Sequence, residues 1–302
     1  MSSTVSSKEL SNQWIQLQRH KQEHPELYRL KSTGLAALDK ILSGGLEPGQ
    51  FVLVGGAQKS GKTTLLSCLT ETMARQHMNV LYLSGEMTTI QMASIFFSRL
   101  SRIDRTRIRA INLDETDWVK LENAAAKFEK FNIWWNHGFS SVTDINNIIT
   151  EMETVHGVEF DCIMVDYIQL MEAPEIKSGG NRVTELSYIS RNLKRRTLSG
   201  KKPKLIIAAA QINRQSIRGN LYDANSFLGT GDLERDMDVG MLIKAVQDPI
   251  TGVENKHRKQ IIVVGSRETE IGVCETYYNG SIASIEDAED DPAEKDMRGV
   301  TF

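Results

Sequence analysis

The segment Gly56–Thr63, GAQKSGKT, limits the fold of this chain more than any other, because it stands between an apolar run, FVLVG, and a helical run, TLLSCLTETMA. It fits the pattern G-x-x-x-x-G-K-[ST], whose chemistry needs that context: a strand to deliver a glycine-rich turn and a helix that starts at once. Gly56 and Gly61 let backbone N–H groups turn inward around phosphate oxygens, and the following helix presents its positive end to the same charge. Ala57, Gln58, Lys59 and Ser60 complete the turn, and Thr64 continues it. Lys62 is expected to reach the β/γ-phosphates of a nucleotide and Thr63 to place its hydroxyl on Mg²⁺. At ordinary residue usage such a match arises by chance in about one chain of this length in a hundred.

From residue 33 onward, short apolar runs alternate with helical patterns, which predicts an α/β domain with a mainly parallel sheet flanked by helices. The strand candidates are Phe51–Gly55, Val80–Ser84, Phe160–Asp166, Leu205–Ala210, Met241–Val246 and Gln260–Gly265. Between them, Ile145, Ile148, Ile149, Met152 and Val155 form one helical stripe, ending at Gly157, and Leu186, Ile189 and Leu193 form another. The expected order is strand, helix, strand throughout. CIMVDYIQL ends an apolar strand on Asp166, and a carboxylate there is costly unless it meets a cation, a metal-linked water or hydrogen-bond donors. It is therefore the second metal-side candidate beside Thr63. Glu86, just beyond the strand VLYLS, is the candidate for handling the attacking water, since strand ends converge on the phosphate crevice of such sheets.

The 302 residues carry a net charge of -3, so any nucleic-acid contact has to come from a local basic surface rather than bulk attraction. Cys68, Cys162 and Cys274 lie far apart in apolar contexts, which reads as three buried thiols in a reducing compartment. No apolar run reaches the roughly 18 residues of a membrane span, and the polar start lacks a signal-peptide core, so a cytoplasmic protein is expected. Residues 1–30 read as an arm with a short amphipathic helix broken near Pro25, packed either on its own domain or on a neighbouring subunit. Residues 31–285 form the main domain, and 286–302 an acidic tail that cannot bury enough surface to fold alone.

The motifs resemble those of the DnaB-like helicases, with some features of RadA-type recombination ATPases. The opening LKSTGLAALDKILSGGLEPGQFVLVGG is shared by both, and LYLSGEM joins a RadA-like SGE to a DnaB-like EM. VDYIQLM, NRVTELSYISRNLK, AAQINR and GTGDLERDMD are DnaB-like in wording and order, so the resemblance covers roughly residues 31–285. It implies a RecA-like P-loop sheet, ATP and Mg²⁺ bound between subunits of a homo-oligomer (a hexamer), and action on single-stranded DNA in replication. By position it gives Lys62, Thr63, Asp166 and Glu86 the roles already described. Gln211, ending the strand LIIAAA, becomes the γ-phosphate sensor, and Arg267 in VVGSRETEIG the arginine supplied to the adjacent subunit.

Two positions depart from the family. Gly265 stands where a lysine is usual two residues before the arginine, and Leu228, followed by Gly229, stands where an arginine usually approaches DNA. Arg214, Arg218 and Asn220, with backbone N–H groups around Gly229 and Gly231, are the candidate replacements, and the loop from Glu175 to Arg182 with Lys177 is the expected partner loop.

A phage- or plasmid-type ring helicase is the leading expectation. The alternatives are a RadA-like recombination ATPase and a non-translocating, ATP-switched assembly or loading factor. The tail, acidic and ending in Phe302, resembles those of phage replication proteins and single-strand-binding proteins, which implies docking to a primase, polymerase or loader.

Overall fold

The computed structural model describes residues 4–176, 181–219, 222–227, 231–247 and 251–288. Its centre is a nine-stranded sheet: β1 (Phe51–Gly56), β2 (Val80–Ser84), β3 (Ile133–His137), β4 (Cys162–Asp166), β5 (Leu205–Gln211), β6 (Val239–Gln247), β7 (Glu254–Ser266), β8 (Gly272–Asn279) and β9 (Ser284–Asp287). They are ordered β3-β2-β4-β5-β1-β6-β7-β8-β9. The first six are mutually parallel, and β6 through β9 pair antiparallel. β1, β2 and β4 are buried along their whole length, which is why each reads as a continuous apolar run rather than an alternating one.

Eleven helices accompany the sheet among the described residues: α1 (Ser7–Glu23), α2 (Pro25–Tyr28), α3 (Ala36–Ile41), α4 (Lys62–Arg75), α5 (Thr89–Ser101), α6 (Arg105–Arg109), α7 (Glu115–Phe128), α8 (Val142–Val155), α9 (Arg182–Thr197), α10 (Arg214–Gly219) and α11 (Gly231–Asp236). Strand alternation splits the core in two. Val52 and Val54 face a layer with Leu65, Leu69 and Met73 of α4 and Phe96 of α5, while Phe51 and Leu53 face Ile145 and Ile149 of α8 and Leu186, Ile189 and Leu193 of α9. Both expected helical stripes are thus real, although Val155 is exposed.

The strand-helix-strand rule fails in the last third, where β6, β7, β8 and β9 follow one another with no helix between them among the described residues. β7 begins at Glu254, earlier than expected, because its charged first half gains partners on both sides: Ala245 of β6 and Thr276 of β8 both register with Lys259. The acidic tail likewise begins later than residue 286. Asp287 accepts hydrogen bonds from the Ala36 and Ala37 amides (2.9 and 3.4 Å), and Glu286 is paired with Arg102, so both acids are held by the domain. Cys162 and Cys274 are buried, whereas Cys68 is only partly so. α1 is capped by a reciprocal Ser6–Glu9 box yet buries none of its residues, leaving Leu10 and Trp14 more than half exposed. No described helix is long and apolar enough to cross a membrane.

Candidate nucleotide site

The turn after β1 is shaped by its glycines. Gly61 has φ 110°, a left-handed conformation that glycine adopts without steric cost, and it starts α4. A Cβ at Gly56 would strike the Ser60 hydroxyl and stand 3.0 Å from the Ile243 carbonyl, so only glycine lets the loop close there. Lys62 Nζ donates to the carbonyls of Gly56 (2.9 Å) and Ala57 (2.8 Å), which hold the ammonium across the mouth of the loop. Burial lowers its pKa, and the charges of Asp166 and Glu86 oppose that shift. Ser60 Oγ is buried without a partner among the described residues, a polar atom within a loop whose donors suit an anion.

Asp166 ends β4 and is buried. Desolvation raises its pKa, against hydrogen bonds from the hydroxyls of Thr63 and Tyr82 and the nearby Lys62 charge. The Tyr82 contact is 3.1 Å. Thr63 and Asp166 therefore form a hydroxyl-carboxylate pair of the kind that holds a divalent cation together with phosphate oxygens. Glu86 is presented by a tight turn: the Gly85 amide donates to the Asp166 carbonyl (2.9 Å), the Met87 amide to Ser84 Oγ (2.9 Å), and a Thr88–Gln91 capping box starts α5 at once. Gln211 lies opposite Gly56 in the β1–β5 register, and its amide donates to Gln169 Oε1 (3.0 Å). Lys62, Thr63, Thr64, Glu86, Asp166 and Gln211 line one cleft of 390 Å³. It opens at the carboxyl ends of β1, β2, β4 and β5.

Arg267 is elsewhere. β7 runs opposite to β1, and the Arg267 amide donates to the Asp238 carbonyl (3.1 Å), while the Asp238 amide donates to the carbonyl of Phe51, the first residue of β1. The six residues of β1, at about 3.3 Å each, put roughly 20 Å between Arg267 and the phosphate loop of its own chain.

Residues 31–287 match the family described as "DnaB-like helicase C terminal domain". The chain belongs to the DnaB-like helicases. Two relatives named "Replicative DNA helicase DnaB", from Haemophilus influenzae and Pasteurella multocida, are each 32% identical over 261 residues, covering 84% of this chain and 54% and 55% of their own lengths. The chain spans about half the length of these relatives. A solved phage-helicase ATPase domain superposes with a TM-score of 0.81 at 21% identity, over 95% of this chain and 100% of the other. A DnaB-like replicative helicase solved with its interactions with primase gives 0.75 at 23%, over 86% and 63%. These likenesses establish the RecA-like fold, a mostly parallel sheet flanked by helices.

In this DnaB-like domain the expected nucleotide residues gather in one place, and the expected DNA-facing residues are only partly in view. Lys177, Asn220, Leu228 and Gly229 lie outside the described residues. Arg214 and Arg218 belong to α10, which starts three residues after Gln211, and Gly231 opens α11. The link from the cleft to this region is explicit: Ile212 bridges to Phe227, and the Asn213 amide donates to the Ser226 carbonyl (2.8 Å).

Four residues of the site escape a reading of the sequence. Tyr82 and Gln169 sit inside recognisable motifs, but a tyrosine within an apolar strand and a glutamine beyond its end read as packing. Tyr167 and Tyr278 also line the cleft. Tyr278 lies on β8, a strand not anticipated, and the weak alternation of VCETYY is its only signal.

Proposed function

We propose that this chain is the ATP-hydrolysing motor of a ring-forming replicative helicase that moves on single-stranded DNA. The observation that carries this reading is the single cleft that unites Lys62, Thr63, Asp166, Glu86 and Gln211 while Arg267 stands at the far end of the same sheet. ATP would be held by the loop Gly56–Thr64, and Mg²⁺ by Thr63 and Asp166 together with phosphate oxygens. Glu86 would orient or deprotonate the attacking water, and Gln211 would report the γ-phosphate to the segment at Ile212 and Asn213. Arg267 would complete the site of a neighbouring subunit, which makes the homo-oligomer, a hexamer by family likeness, part of the catalyst.

DNA would be met by Arg214, Arg218, Asn220, Lys177 and the backbone of Gly229 and Gly231. The names of the relatives favour replication over recombination. Contact with a primase, polymerase or loader is assigned to the acidic residues up to Phe302, which lie outside the described residues.

The test is ATP turnover with and without single-stranded DNA, followed by unwinding of a forked duplex. Stimulation by DNA and unwinding are expected, with DNA binding that weakens with salt at a slope of about -0.7 per phosphate contacted. Turnover indifferent to DNA would replace the motor by an ATP-switched assembly factor, the reading that Gly265 and Leu228 favour. DNA stimulation without unwinding would favour a RadA-like role.

A further inference from the structure

Lys259 is the unusual cation of this domain. It stands in the middle of β7, only 7% exposed, and among the described residues its ammonium has no hydrogen-bond or ion-pair acceptor. Its Cε lies 3.7 Å from where a Cβ on Gly61 would be, so its stem leans on the phosphate loop itself. The ammonium sits over the ring of Tyr278, 4.6 Å from the centroid. Tyr278 in turn lines the nucleotide cleft and approaches the same Gly61 position to 3.4 Å. Lys259 also lines the adjoining cleft of 690 Å³, which shares Gln58 and Lys59 of the loop with the first.

A largely buried ammonium with only an aromatic face beside it is costly, and burial lowers its pKa accordingly. An anion arriving within reach would relieve that cost. Where the anion comes from follows from the sheet order. Glu86, Asp166 and Gln211 stand at the ends of β2, β4 and β5, on one side of β1, so the reactive end of a bound triphosphate points to that side. The nucleoside end must then run across β1 toward β6, β7 and β8, where Lys259 and Tyr278 stand.

We propose that Lys259 is a second phosphate-binding lysine acting within its own subunit, and that it contacts the α-phosphate of the nucleotide held on the Gly56–Thr64 loop. This rests on the nucleotide reading given above. Lys62 grips the reacting end of the chain and Lys259 the end nearest the ribose. Because the α-phosphate is present in substrate and product alike, Lys259 contributes to holding the nucleotide and not to hydrolysis.

The experiment compares the full chain with Lys259→Met, which keeps the stem on Gly61 and removes the charge, and with Lys259→Arg, which restores a charge. Binding of ATP, ADP and CTP is measured by calorimetry, and turnover is measured at saturating ATP. The methionine variant should bind all three about tenfold more weakly, with kcat within about twofold of wild type, and the arginine variant should recover most of the affinity. Unchanged ADP binding by a folded Lys259→Met protein would overturn the proposal, and so would a loss confined to one base, which would make the lysine a support for base stacking on Tyr278. Should the wild-type chain bind no nucleotide, it is the nucleotide reading that fails. Lys62→Ala, measured alongside, marks how far binding falls when the loop itself is disabled.

Discussion

Arg267 and Asp238 form an ion pair, Nε to Oδ1 3.6 Å, at the end of the sheet opposite the phosphate loop. Asp238 is nearly buried, also pairs with Lys194 of α9 and accepts the Phe51 amide at 2.7 Å. Arg267 remains 58% exposed on its side chain and donates to the Arg235 carbonyl at 2.8 Å, so a firm anchor holds an arginine that still faces outward. Arg267→Ala should leave nucleotide binding intact and reduce turnover by about 10³-fold, the loss typical of an arginine supplied in trans. Mixed oligomers of Arg267→Ala and Lys62→Ala subunits should regain part of the activity, because some junctions pair an intact loop with an intact arginine. Proven mixed oligomers with no activity would place the arginine's action within one chain.

Glu86 and Lys62 should separate chemistry from binding. Lys62→Ala removes the ammonium at the loop mouth and should abolish tight ATP binding. Glu86→Gln keeps the loop and the turn at Gly85, so binding should persist while single-turnover hydrolysis drops by about 10²- to 10⁴-fold. Wild-type hydrolysis by the glutamine variant would remove Glu86 from the reaction.

Tyr82 offers a pH test. Its hydroxyl donates to Asp166, and burial already holds the Asp166 pKa above that of an ordinary carboxylate. Tyr82→Phe keeps the buried ring but removes a donor that favours the ionised form, so the Asp166 pKa should rise further. Activity that needs the carboxylate is present above that pKa and lost as pH falls through it. The acid limb of the turnover profile should therefore move to higher pH by about half to one unit, and superimposable profiles would show that Tyr82 merely packs.

α1 makes a prediction about assembly. With no residue buried and Trp14 57% exposed, the helix adds little to the stability of its own domain. Removing residues 1–23 should change the thermal midpoint by less than about 2 °C, yet weaken oligomerisation in sedimentation if the apolar face docks on a neighbour. Assembly at unchanged concentration would confine the arm to its own chain.

The nucleotide site was legible in the sequence because its chemistry imposes both residue type and context. The loop, Asp166 at a strand end and Glu86 after the next strand could each be placed by a local rule, and the family wording supplied Gln211 and Arg267. The antiparallel half of the sheet was not legible. In the first half of β7, ENKHRK reads as a solvated loop, and its strand character comes from pairing with β6 and β8. β3, IWWNH, is a five-residue edge strand whose aromatics find neighbours only after folding, as Trp135 does against Phe96 and Tyr82. Lys259 and Tyr278 belong to that same unread half.

β7 reaches from one end of the domain to the other as one continuous strand, flanked through its middle by a hydrogen-bonded neighbour on either side. Lys259 beside the local phosphate loop and Arg267 just past the opposite end are eight residues apart, about 26 Å of extended backbone. One register irregularity at Val264 aside, nothing between them bends easily. In a ring this strand would work as a pushrod: a tilt set by the occupant of one junction would be delivered to the next as a displaced guanidinium, and neighbouring sites would fall out of phase without any loop having to change shape.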